Sequence, residues 1–183
     1  IDSIINQTYS NWEIIIIDDH LDPNVKSVVS RFLDSGKIKY FAPPYNLGNG
    51  DPTKTWNFGL QYAKGKFAVL MGDDDYLSTN YLEKMVNLAV KYPNSNIFRA
   101  RLAIIDRDDK IFEYGIGLPE SEQWDELMYV RNIYARRQST SEIMFNLDQI
   151  KKIGGFVSFP FAWASDDATW LCLSKTSGIY STN

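Results

Sequence analysis

The chain has 183 residues, a formal net charge of −4, 44% hydrophobic residues and 23% charged residues. These values predict one globular domain, exclude a membrane span, which needs about 18 or more consecutive apolar residues, and argue against nucleic-acid binding, which needs a basic surface. A single cysteine excludes an internal disulfide and a cysteine zinc site, and a single histidine excludes a multi-histidine metal site. We therefore expect carboxylates to carry any acid–base chemistry that His20 does not.

The first half of the chain alternates predicted strands and helices. Residues 1–7 are typical of the last turns of a helix, which predicts that the chain is a fragment lacking a preceding strand. The alternation predicts right-handed crossovers and a mostly parallel central sheet with helices on both faces. Asn80 and Glu83 resemble a capping box at the start of the third helix. The predicted strands are 14–17, 38–41 and 67–71, and the predicted helices are 25–33, 56–63 and 80–92.

Three adjacent aspartates, Asp73, Asp74 and Asp75, follow Gly72 at the end of the apolar strand 67–71. Like charges this close repel each other unless a positive group neutralises them. Mg²⁺ and Mn²⁺ are held by one or two protein carboxylates together with phosphate oxygens, which is the arrangement that a nucleoside diphosphate needs. The alternative is an acidic turn that stabilises the N-terminus of the following helix.

A second acidic pair, Asp18 and Asp19, follows the first predicted strand. The pair could accept hydrogen bonds from a nucleobase or a ribose, or it could simply begin a loop. Because the carboxyl ends of parallel strands lie at one edge of a sheet, we expect Asp18 and Asp19 to lie near the acidic cluster formed by Asp73, Asp74 and Asp75. Asn46, Gly48 and Asn57 suit tight turns that bring the backbone close to a ligand, although turn formation alone explains them equally well.

The second half of the chain changes character. Two strand-like stretches separated by a polar turn predict a small hairpin that flanks the core sheet. A helix, a short strand and a helical turn follow. The last helix begins after an aromatic loop that contains Phe159, Phe161 and Trp163. The predicted hairpin strands are 97–105 and 111–113, the helices are 122–134 and 147–153, and the intervening strand is 142–145.

Asp166 and Asp167 open the last helix, directly after the aromatic loop. Either carboxylate could act as a general base on an acceptor hydroxyl, and helix capping is the alternative. Phe161 and Trp163 could supply an apolar surface for a sugar. Arg136, within a short basic run, could grip phosphate or acceptor groups, although a solvated charge run is the favoured interpretation.

Taken together, these stretches resemble glycosyltransferases of the GT-A fold, family 2 type. The resemblance covers nearly the whole chain, and the ordered set of motifs is specific although each motif alone is not. It implies a Rossmann-like α/β fold, a nucleotide-sugar donor, Mn²⁺ or Mg²⁺ at the acidic cluster, and inverting transfer to an acceptor hydroxyl. The matching stretches are 4–19, 46–48, 57–59, 63–66, 67–75, 154–156 and 166–167.

The resemblance also implies roles for individual residues. Two positions depart from the family pattern: Gly72 stands where many relatives carry the first acid of the metal motif, and Trp56 replaces a frequent arginine. On the donor side, the implied roles are nucleobase contact for Asp18 or Asp19, ribose contact for Asp73, and further donor contacts for Asn46, Gly48 and Asn57. Asp74 with Asp75 would bind the metal. Asp167 would be the catalytic base, with Asp166 as second choice, and Phe161, Trp163 and Arg136 are the expected acceptor contacts.

A single glycosyltransferase domain over residues 1–183 follows from this resemblance, with a nucleotide-sugar-binding half at 1–93 and an acceptor and catalytic-base half at 94–183. We expect a metal-dependent hexosyl or N-acetylhexosaminyl transferase of cell-envelope polysaccharide or glycolipid synthesis, with a saccharide or lipid-linked acceptor. The expected location is cytoplasmic, at most peripheral at the inner face of the membrane, without nucleic-acid partners. The alternatives are a non-catalytic sugar- or nucleotide-binding module and a Mg²⁺-dependent receiver-like domain, which would be shorter.

Overall fold

The computed structural model describes residues 1–133 and 136–183. Within them the chain forms seven α-helices, none long and apolar enough to cross a membrane, and nine β-strands. The alternating elements of the first half and the last helix are confirmed, while Tyr134, the predicted end of one helix, lies outside the described residues. The hairpin is confirmed with a shorter first strand, because the predicted strand 97–105 divides into 97–100, which belongs to the five-stranded sheet, and 103–105, which pairs with 111–114. The helices are α1 (Asp2–Ile5), α2 (Pro23–Ser30), α3 (Pro52–Leu60), α4 (Tyr81–Lys91), α5 (Trp124–Ile133), α6 (Leu147–Lys152) and α7 (Ser165–Ser174). The strands are β1 (Ile14–Ile17), β2 (Ile38–Phe41), β3 (Phe67–Val69), β4 (Ile97–Ala100), β5 (Ala103–Ile105), β6 (Ile111–Tyr114), β7 (Ser121–Glu122), β8 (Ile143–Asn146) and β9 (Ile179–Thr182).

The chain divides into two compact units. The first unit comprises residues 1–10, 67–146 and 170–183, and the second unit comprises residues 11–66 and 147–169. Each unit therefore draws segments from both sides of residue 93, where the sequence suggested a border between a donor half and an acceptor half. That functional division stays a prediction.

The first unit contains a five-stranded sheet in the order β3-β8-β4-β9-β7. In this sheet β4 and β9 run parallel, whereas β8 pairs antiparallel with both β3 and β4, and β7 pairs antiparallel with β9. The sheet is therefore mixed rather than mostly parallel. The reason is that β8 runs in the opposite direction and separates the two strands of the β3-α4-β4 crossover. The hairpin of β5 and β6 forms its own two-stranded sheet.

The apolar core of the first unit lies between α4 and the sheet. Helix α4 buries Tyr81, Met85, Leu88 and Ala89, which recur at the three- and four-residue spacing of one helix face. This face packs in a cluster with sheet residues such as Phe98, which is fully buried. The core thus fixes β3, whose carboxyl end carries the acidic cluster.

The start of α4 differs from the predicted capping box. The side chain of Asn80 makes no capping hydrogen bond, and Glu83 Oε2 accepts the Thr8 hydroxyl at 2.7 Å instead of reaching back to the helix start. Gln7 takes over the capping, because its Oε1 accepts the Leu82 N–H at 2.9 Å. A first-turn amide of α4 is therefore satisfied by a residue 75 positions earlier in the chain.

The second unit is built around a parallel pair of strands, β1 and β2, that align Ile14 with Ile38. The residues of β1 are half-buried, and β1 and β3 belong to separate sheets. Helices α2 and α3 both begin with an aspartate cap followed by proline: Asp22 accepts the Asn24 N–H and Asp51 accepts the Thr53 N–H. Local sequence therefore sets where both helices start.

Candidate active site

The acidic loop, residues 72–75, follows β3 in the first unit. Asp73 and Asp74 are exposed, and Asp75 is half-buried. A Cβ atom added to Gly72 would lie 3.0 Å from Asp74 Oδ1 and 3.0 Å from Asp75 Oδ2. Two carboxylates therefore border the same small space beside the Gly72 Cα, and the missing side chain keeps that space open.

Asp75 is held in place by two serine hydroxyls. Ser139 Oγ donates to Asp75 Oδ2 at 2.7 Å, and Ser141 Oγ donates to the same oxygen at 2.6 Å. The Gly72 N–H donates in turn to Ser141 Oγ at 3.0 Å. Sequence reasoning missed both serines, because a Ser-Thr-Ser run before a strand is typical of an ordinary polar loop.

The acidic loop fits a divalent cation that is shared with a ligand. Within residues 1–133 and 136–183, no three acidic, histidine or cysteine side chains are arranged to hold a metal by themselves, so Asp73 does not complete a three-ligand site with Asp74 and Asp75. Two converging carboxylates are what Mg²⁺ and Mn²⁺ use when phosphate oxygens and water supply the remaining ligands. The donor set therefore fits the expected metal–diphosphate arrangement.

Asp18, in the second unit, is buried and accepts three hydrogen bonds. Its Oδ2 accepts the Tyr40 hydroxyl at 2.6 Å, and its Oδ1 accepts the N–H groups of Leu21 at 2.9 Å and His20 at 3.2 Å. Burial raises the pKa of the Asp18 carboxyl, but these hydrogen bonds together outweigh it and bring the pKa below its usual value. The hydrogen bond to Asp18 also raises the pKa of Tyr40 to about 12. Asp18 is therefore a carboxylate fixed in its ionised form.

Asp19 clamps the loop that contains two other predicted donor residues. Its carboxylate accepts the N–H groups of Leu47 at 2.6 Å and Gly48 at 2.8 Å, and the Thr55 hydroxyl at 2.8 Å. A Cβ at Gly48 would lie 2.8 Å from Asp19 Oδ2, so only glycine allows this approach. Asn46 Oδ1 accepts the Asn49 N–H at 2.6 Å and tightens the same turn. The turn-forming role of these residues is confirmed, and their contact with a donor stays a prediction.

Asn57 lies within helix α3 rather than in a tight turn of its own, and from there its side chain holds the glycine turn at 154–156. Its Oδ1 accepts the Phe156 N–H at 2.7 Å, and its Nδ2 donates to the Phe156 carbonyl at 3.2 Å. Gly155 has a φ of +97°, and a Cβ there would lie 2.3 Å from Asn57 Oδ1. The Asn57 amide is thus engaged within the second unit, and its direct contact with a donor stays a prediction.

The aromatic loop, residues 159–164, presents two large rings. Phe161 and Trp163 are each 84% exposed, and Phe161, Ala162 and Ala164 have positive φ angles of 55–58°. Ser165 Oγ accepts the Phe159 N–H at 3.0 Å and ties the loop to the start of α7. Non-glycine residues in this conformation are uncommon, so the loop is held in a demanding shape that keeps its rings outward.

Asp166 and Asp167 lie in the first turn of α7 and are both half-buried. The prediction that they open a helix is confirmed. Their carboxylates place negative charge at the positive end of the helix dipole, which stabilises the start of α7. A base at this position is chemically reasonable, and the choice between the two residues stays a prediction.

Arg136 is buried, contrary to the expectation of a solvated charge run. Its Nη1 and Nη2 donate to the two carboxylate oxygens of Glu122 at 2.8 and 3.0 Å, and Glu122 also pairs with the buried Arg99. Burial raises the pKa of Glu122, but the two guanidinium groups outweigh it and lower the pKa. The Arg136 guanidinium group is needed as the ion-pair partner of Glu122, because a carboxylate buried without its partner would destabilise the folded state. We therefore leave Arg136 out of the acceptor surface.

The candidate residues are divided between the units. The acidic loop belongs to the first unit together with Ser139 and Ser141, while the Asp18–Asp19 pair, the turn residues, the aromatic loop and Asp166–Asp167 belong to the second unit. Within the second unit, Asp19 joins the turn at 46–48, and Asn57 joins the turn at 154–156. The convergence of the acidic loop with the Asp18–Asp19 pair stays a prediction.

Solved structures and protein families identify the class to which these features belong. The fold matches that of Staphylococcus aureus TarS residues 1–349 in complex with UDP, with a TM-score of 0.73, 18% identity, and coverage of 99% of this chain and 52% of that 1–349 chain. It also matches a Pyrobaculum calidifontis mannosyltransferase in complex with GDP-Man and Mn²⁺, with a TM-score of 0.65, 14% identity, and coverage of 99% of this chain and 49% of that one. The predicted GT-A fold class is confirmed.

The family model of glycosyl transferase family 2 matches residues 1–152, and the chain belongs to this family. Over all 183 residues it is 26% identical to the Escherichia coli UDP-Glc:alpha-D-GlcNAc-diphosphoundecaprenol beta-1,3-glucosyltransferase WfgD, of which it covers 66%. The chain thus spans between about half and two thirds of the length of these relatives.

Proposed function

We propose that the protein is a metal-dependent, inverting glycosyltransferase that moves a hexosyl or N-acetylhexosaminyl group from a nucleotide-diphosphate donor to an acceptor hydroxyl. The observation that carries the proposal is the pair of carboxylates, Asp74 and Asp75, beside the open space at Gly72. Membership of glycosyl transferase family 2 supports the reaction class. The identity of the metal, Mn²⁺ or Mg²⁺, rests on the donor set and on the Mn²⁺ complex of the mannosyltransferase of the same fold.

Asp74 is the principal metal ligand in this proposal. No hydrogen bond from residues 1–133 or 136–183 occupies its exposed carboxylate, whereas Asp75 Oδ2 already accepts two hydroxyls. Asp75 would complete the pair of protein ligands, and the exposed Asp73 would accept hydrogen bonds from the ribose. A metal held by Asp74 and Asp75 would offset the negative charge that develops on the departing nucleoside diphosphate.

Asp18 and Asp19 serve the nucleobase end of the donor. An ionised carboxylate offers about four acceptor positions, and Asp19 uses three of them within the chain. One position remains on Asp19 for an N–H group of a base, while the buried Asp18, held by Tyr40 and neighbouring N–H groups, fixes the adjoining backbone. Gly48, Asn46 and Asn57 act on the donor side by shaping the turns that approach it.

Asp167 is the general base, with Asp166 as the alternative. The carboxylate accepts the proton of the acceptor hydroxyl while the hydroxyl oxygen bonds to the anomeric carbon, and the bond from that carbon to the diphosphate oxygen breaks. One displacement at this carbon inverts its configuration, and no covalent bond to the enzyme forms. The exposed rings of Phe161 and Trp163 provide apolar faces on which the acceptor sugar stacks.

The acceptor is a saccharide or a lipid-linked saccharide. The name of WfgD, which acts on a diphosphoundecaprenol-linked sugar, supports the lipid-linked class, and the UDP complex of TarS supports a UDP-sugar donor. A cell-envelope polysaccharide or glycolipid is then the product, made in the cytoplasm or at the inner face of the membrane through peripheral contact.

Sugar transfer by an Asp74→Ala variant tests the metal role. With UDP-sugars, Mn²⁺ and lipid-linked or soluble acceptors, we expect metal-stimulated turnover to fall by about 100-fold or more, because the variant removes a ligand of a group that supplies several kcal/mol of charge stabilisation. Asp125→Ala, which removes an exposed carboxylate elsewhere in the first unit, is the matched control.

Unchanged metal-stimulated turnover in Asp74→Ala would contradict the proposed ligand. Nucleotide-sugar binding by the wild-type protein without any turnover would instead favour the non-catalytic binding module. Parallel Asp166→Asn and Asp167→Asn variants separate the two candidate bases, since only loss of the true base should abolish transfer while Mn²⁺ binding persists.

A further inference from the structure

One hydroxyl links the two ends of the acidic loop. Ser141 is buried, and its Oγ accepts the Gly72 N–H at 3.0 Å while donating to Asp75 Oδ2 at 2.6 Å. A serine hydroxyl donates once and accepts at two positions, so both contacts can be made at the same time. The Gly72 N–H and the Asp75 carboxylate, at the two ends of the acidic loop, are therefore hydrogen-bonded to the same Ser141 Oγ.

Ser139 adds a second donor to the same carboxylate oxygen. Its Oγ lies 2.7 Å from Asp75 Oδ2, and it also accepts the Ser141 N–H at 3.3 Å. Hydrogen bonds to an ionised carboxylate are about twice as strong as neutral ones. Two of them on one oxygen restrict the rotation of the Asp75 side chain, and this is the oxygen that lies 3.0 Å from the position of a Gly72 Cβ.

The segment that carries these serines is anchored on both sides. Downstream, Ser139 caps a short 3-10 helix, Thr140–Glu142, that leads into β8, which pairs with β3 and β4. Upstream, the Arg136 guanidinium forms a two-point ion pair with the buried Glu122 of β7. The serines therefore approach the acidic loop from a fixed part of the first unit rather than from a free loop.

We infer that Ser139 and Ser141 are positioning residues for the metal site: their hydroxyls orient Asp75 so that it faces Asp74 across the space at Gly72. The inference rests on the proposed function, since it names the groups that hold a proposed metal ligand. Groups that hydrogen-bond to metal ligands typically change metal affinity by about 10- to 100-fold when they are removed.

Mn²⁺ affinity, measured by paramagnetic resonance in the presence of UDP, tests this inference on the whole chain. We expect Ser139→Ala and Ser141→Ala each to weaken Mn²⁺ binding by about 10-fold, and the double variant by up to about 100-fold. Ser139→Thr keeps the hydroxyl and should retain wild-type affinity. Ser78→Ala, which removes an exposed hydroxyl three residues after Asp75, is the matched control.

A purely structural role predicts a different result. It would lower the thermal unfolding midpoint of the serine variants and leave the Mn²⁺ affinity of the folded protein unchanged. In transfer assays, positioning predicts a higher apparent KM for Mn²⁺ with kcat nearly restored at saturating metal. If Ser141→Ala fails to fold, the half-buried Ser139 still decides the outcome.

Mn²⁺ affinities within twofold of wild type in Ser139→Ala and in the double variant would overturn the inference while leaving the proposed function intact, provided that Asp74→Ala loses Mn²⁺. Absence of Asp74-dependent Mn²⁺ binding in the wild-type protein would overturn both. The two failures are thus distinguished in one set of titrations.

Discussion

The acidic loop of the first unit and the Asp18–Asp19 pair of the second unit look alike in sequence, since both place aspartates directly after an apolar strand. Their surroundings differ. Asp73 and Asp74 are exposed, whereas Asp18 is buried and each carboxylate of the pair accepts three hydrogen bonds within its own unit. Aspartates that follow a strand are therefore not enough to define a ligand site, because their acceptor positions must also be left open by the surrounding donors.

The two clusters differ in what stabilises their charges. In the acidic loop the Asp74 carboxylate is available to a ligand, and the repulsion between its like charges is relieved only when a cation binds. The charges of the Asp18–Asp19 pair are stabilised by hydrogen bonds from N–H and O–H donors, and the pair holds the loops around it in place. One cluster should therefore respond to metal and the other to folding, and substitutions can separate these effects.

The largest expected effect is on the folding of the second unit. Asp19→Ala removes hydrogen bonds to Leu47, Gly48 and Thr55, so we expect the free energy of unfolding to fall by roughly 3 kcal/mol. Asp74→Ala, an exposed aspartate without such contacts, should stay within about 0.5 kcal/mol of wild type. Urea denaturation measures both, and equal stability of the two variants would remove the distinction drawn between the clusters.

A methyl group added at either of two glycines should affect only one of the two clusters. Neither Gly72 nor Gly48 has a positive φ, so alanine fits the backbone at both, and the effect comes from the space the Cβ fills. At Gly72 it would approach the oxygens of Asp74 and Asp75 at 3.0 Å, and we expect Mn²⁺ affinity to fall by about 10-fold with little change in stability.

Gly48→Ala should behave in the opposite way, losing stability rather than metal affinity, because its Cβ would meet Asp19 Oδ2 at 2.8 Å. Gly117→Ala is the control, since nothing lies within 4 Å of the added atom. Titration calorimetry with Mn²⁺ and thermal unfolding of the three variants give the two readouts. Loss of metal binding in Gly48→Ala without loss of stability would contradict the assignment of metal binding to the acidic loop and of loop stabilisation to Asp19.

Local sequence predicted those parts of the fold that depend on local patterns. Apolar periodicity located β1, β2 and β3, whereas α3 begins at Pro52, four residues before its predicted start, because Asp51 caps it. The family resemblance pointed to the acidic loop because its motif is contiguous. These features depend on neighbours within a few residues, and short-range rules describe them well.

Long-range contacts account for what the sequence did not reveal. Strand β8 pairs with β3 across nearly 80 residues, as in the alignment of Phe67 with Asn146, and no local pattern predicts its antiparallel insertion. Ser139 and Ser141 reach Asp75 from 64 and 66 residues away. Arg136 lies in a basic run that favours a solvated surface, but it is buried because its guanidinium group pairs with Glu122 of β7, which precedes it by 14 residues.

The smallest expected effect concerns Tyr40, whose hydroxyl holds Asp18. Tyr40→Phe should lower the free energy of unfolding by about 1–2 kcal/mol at pH 7, because it removes one hydrogen bond to a buried carboxylate. Tyr62→Phe, which keeps its ring stacked on Phe41 at 3.8 Å, is the control.

The pH dependence of that difference follows from the two pKa shifts. The folded pKa of Asp18 is lowered, so its stabilising effect is present above the unfolded pKa of about 3.9 and is lost as the pH falls through the folded value. The folded pKa of Tyr40 is raised to about 12, so its effect is present below the unfolded value of about 10 and is lost as the pH rises towards 12. The stability difference between wild type and Tyr40→Phe should therefore be flat from about pH 5 to 9 and shrink on both sides. A difference that grows under acid would show that Asp18 is not held in its ionised form by Tyr40.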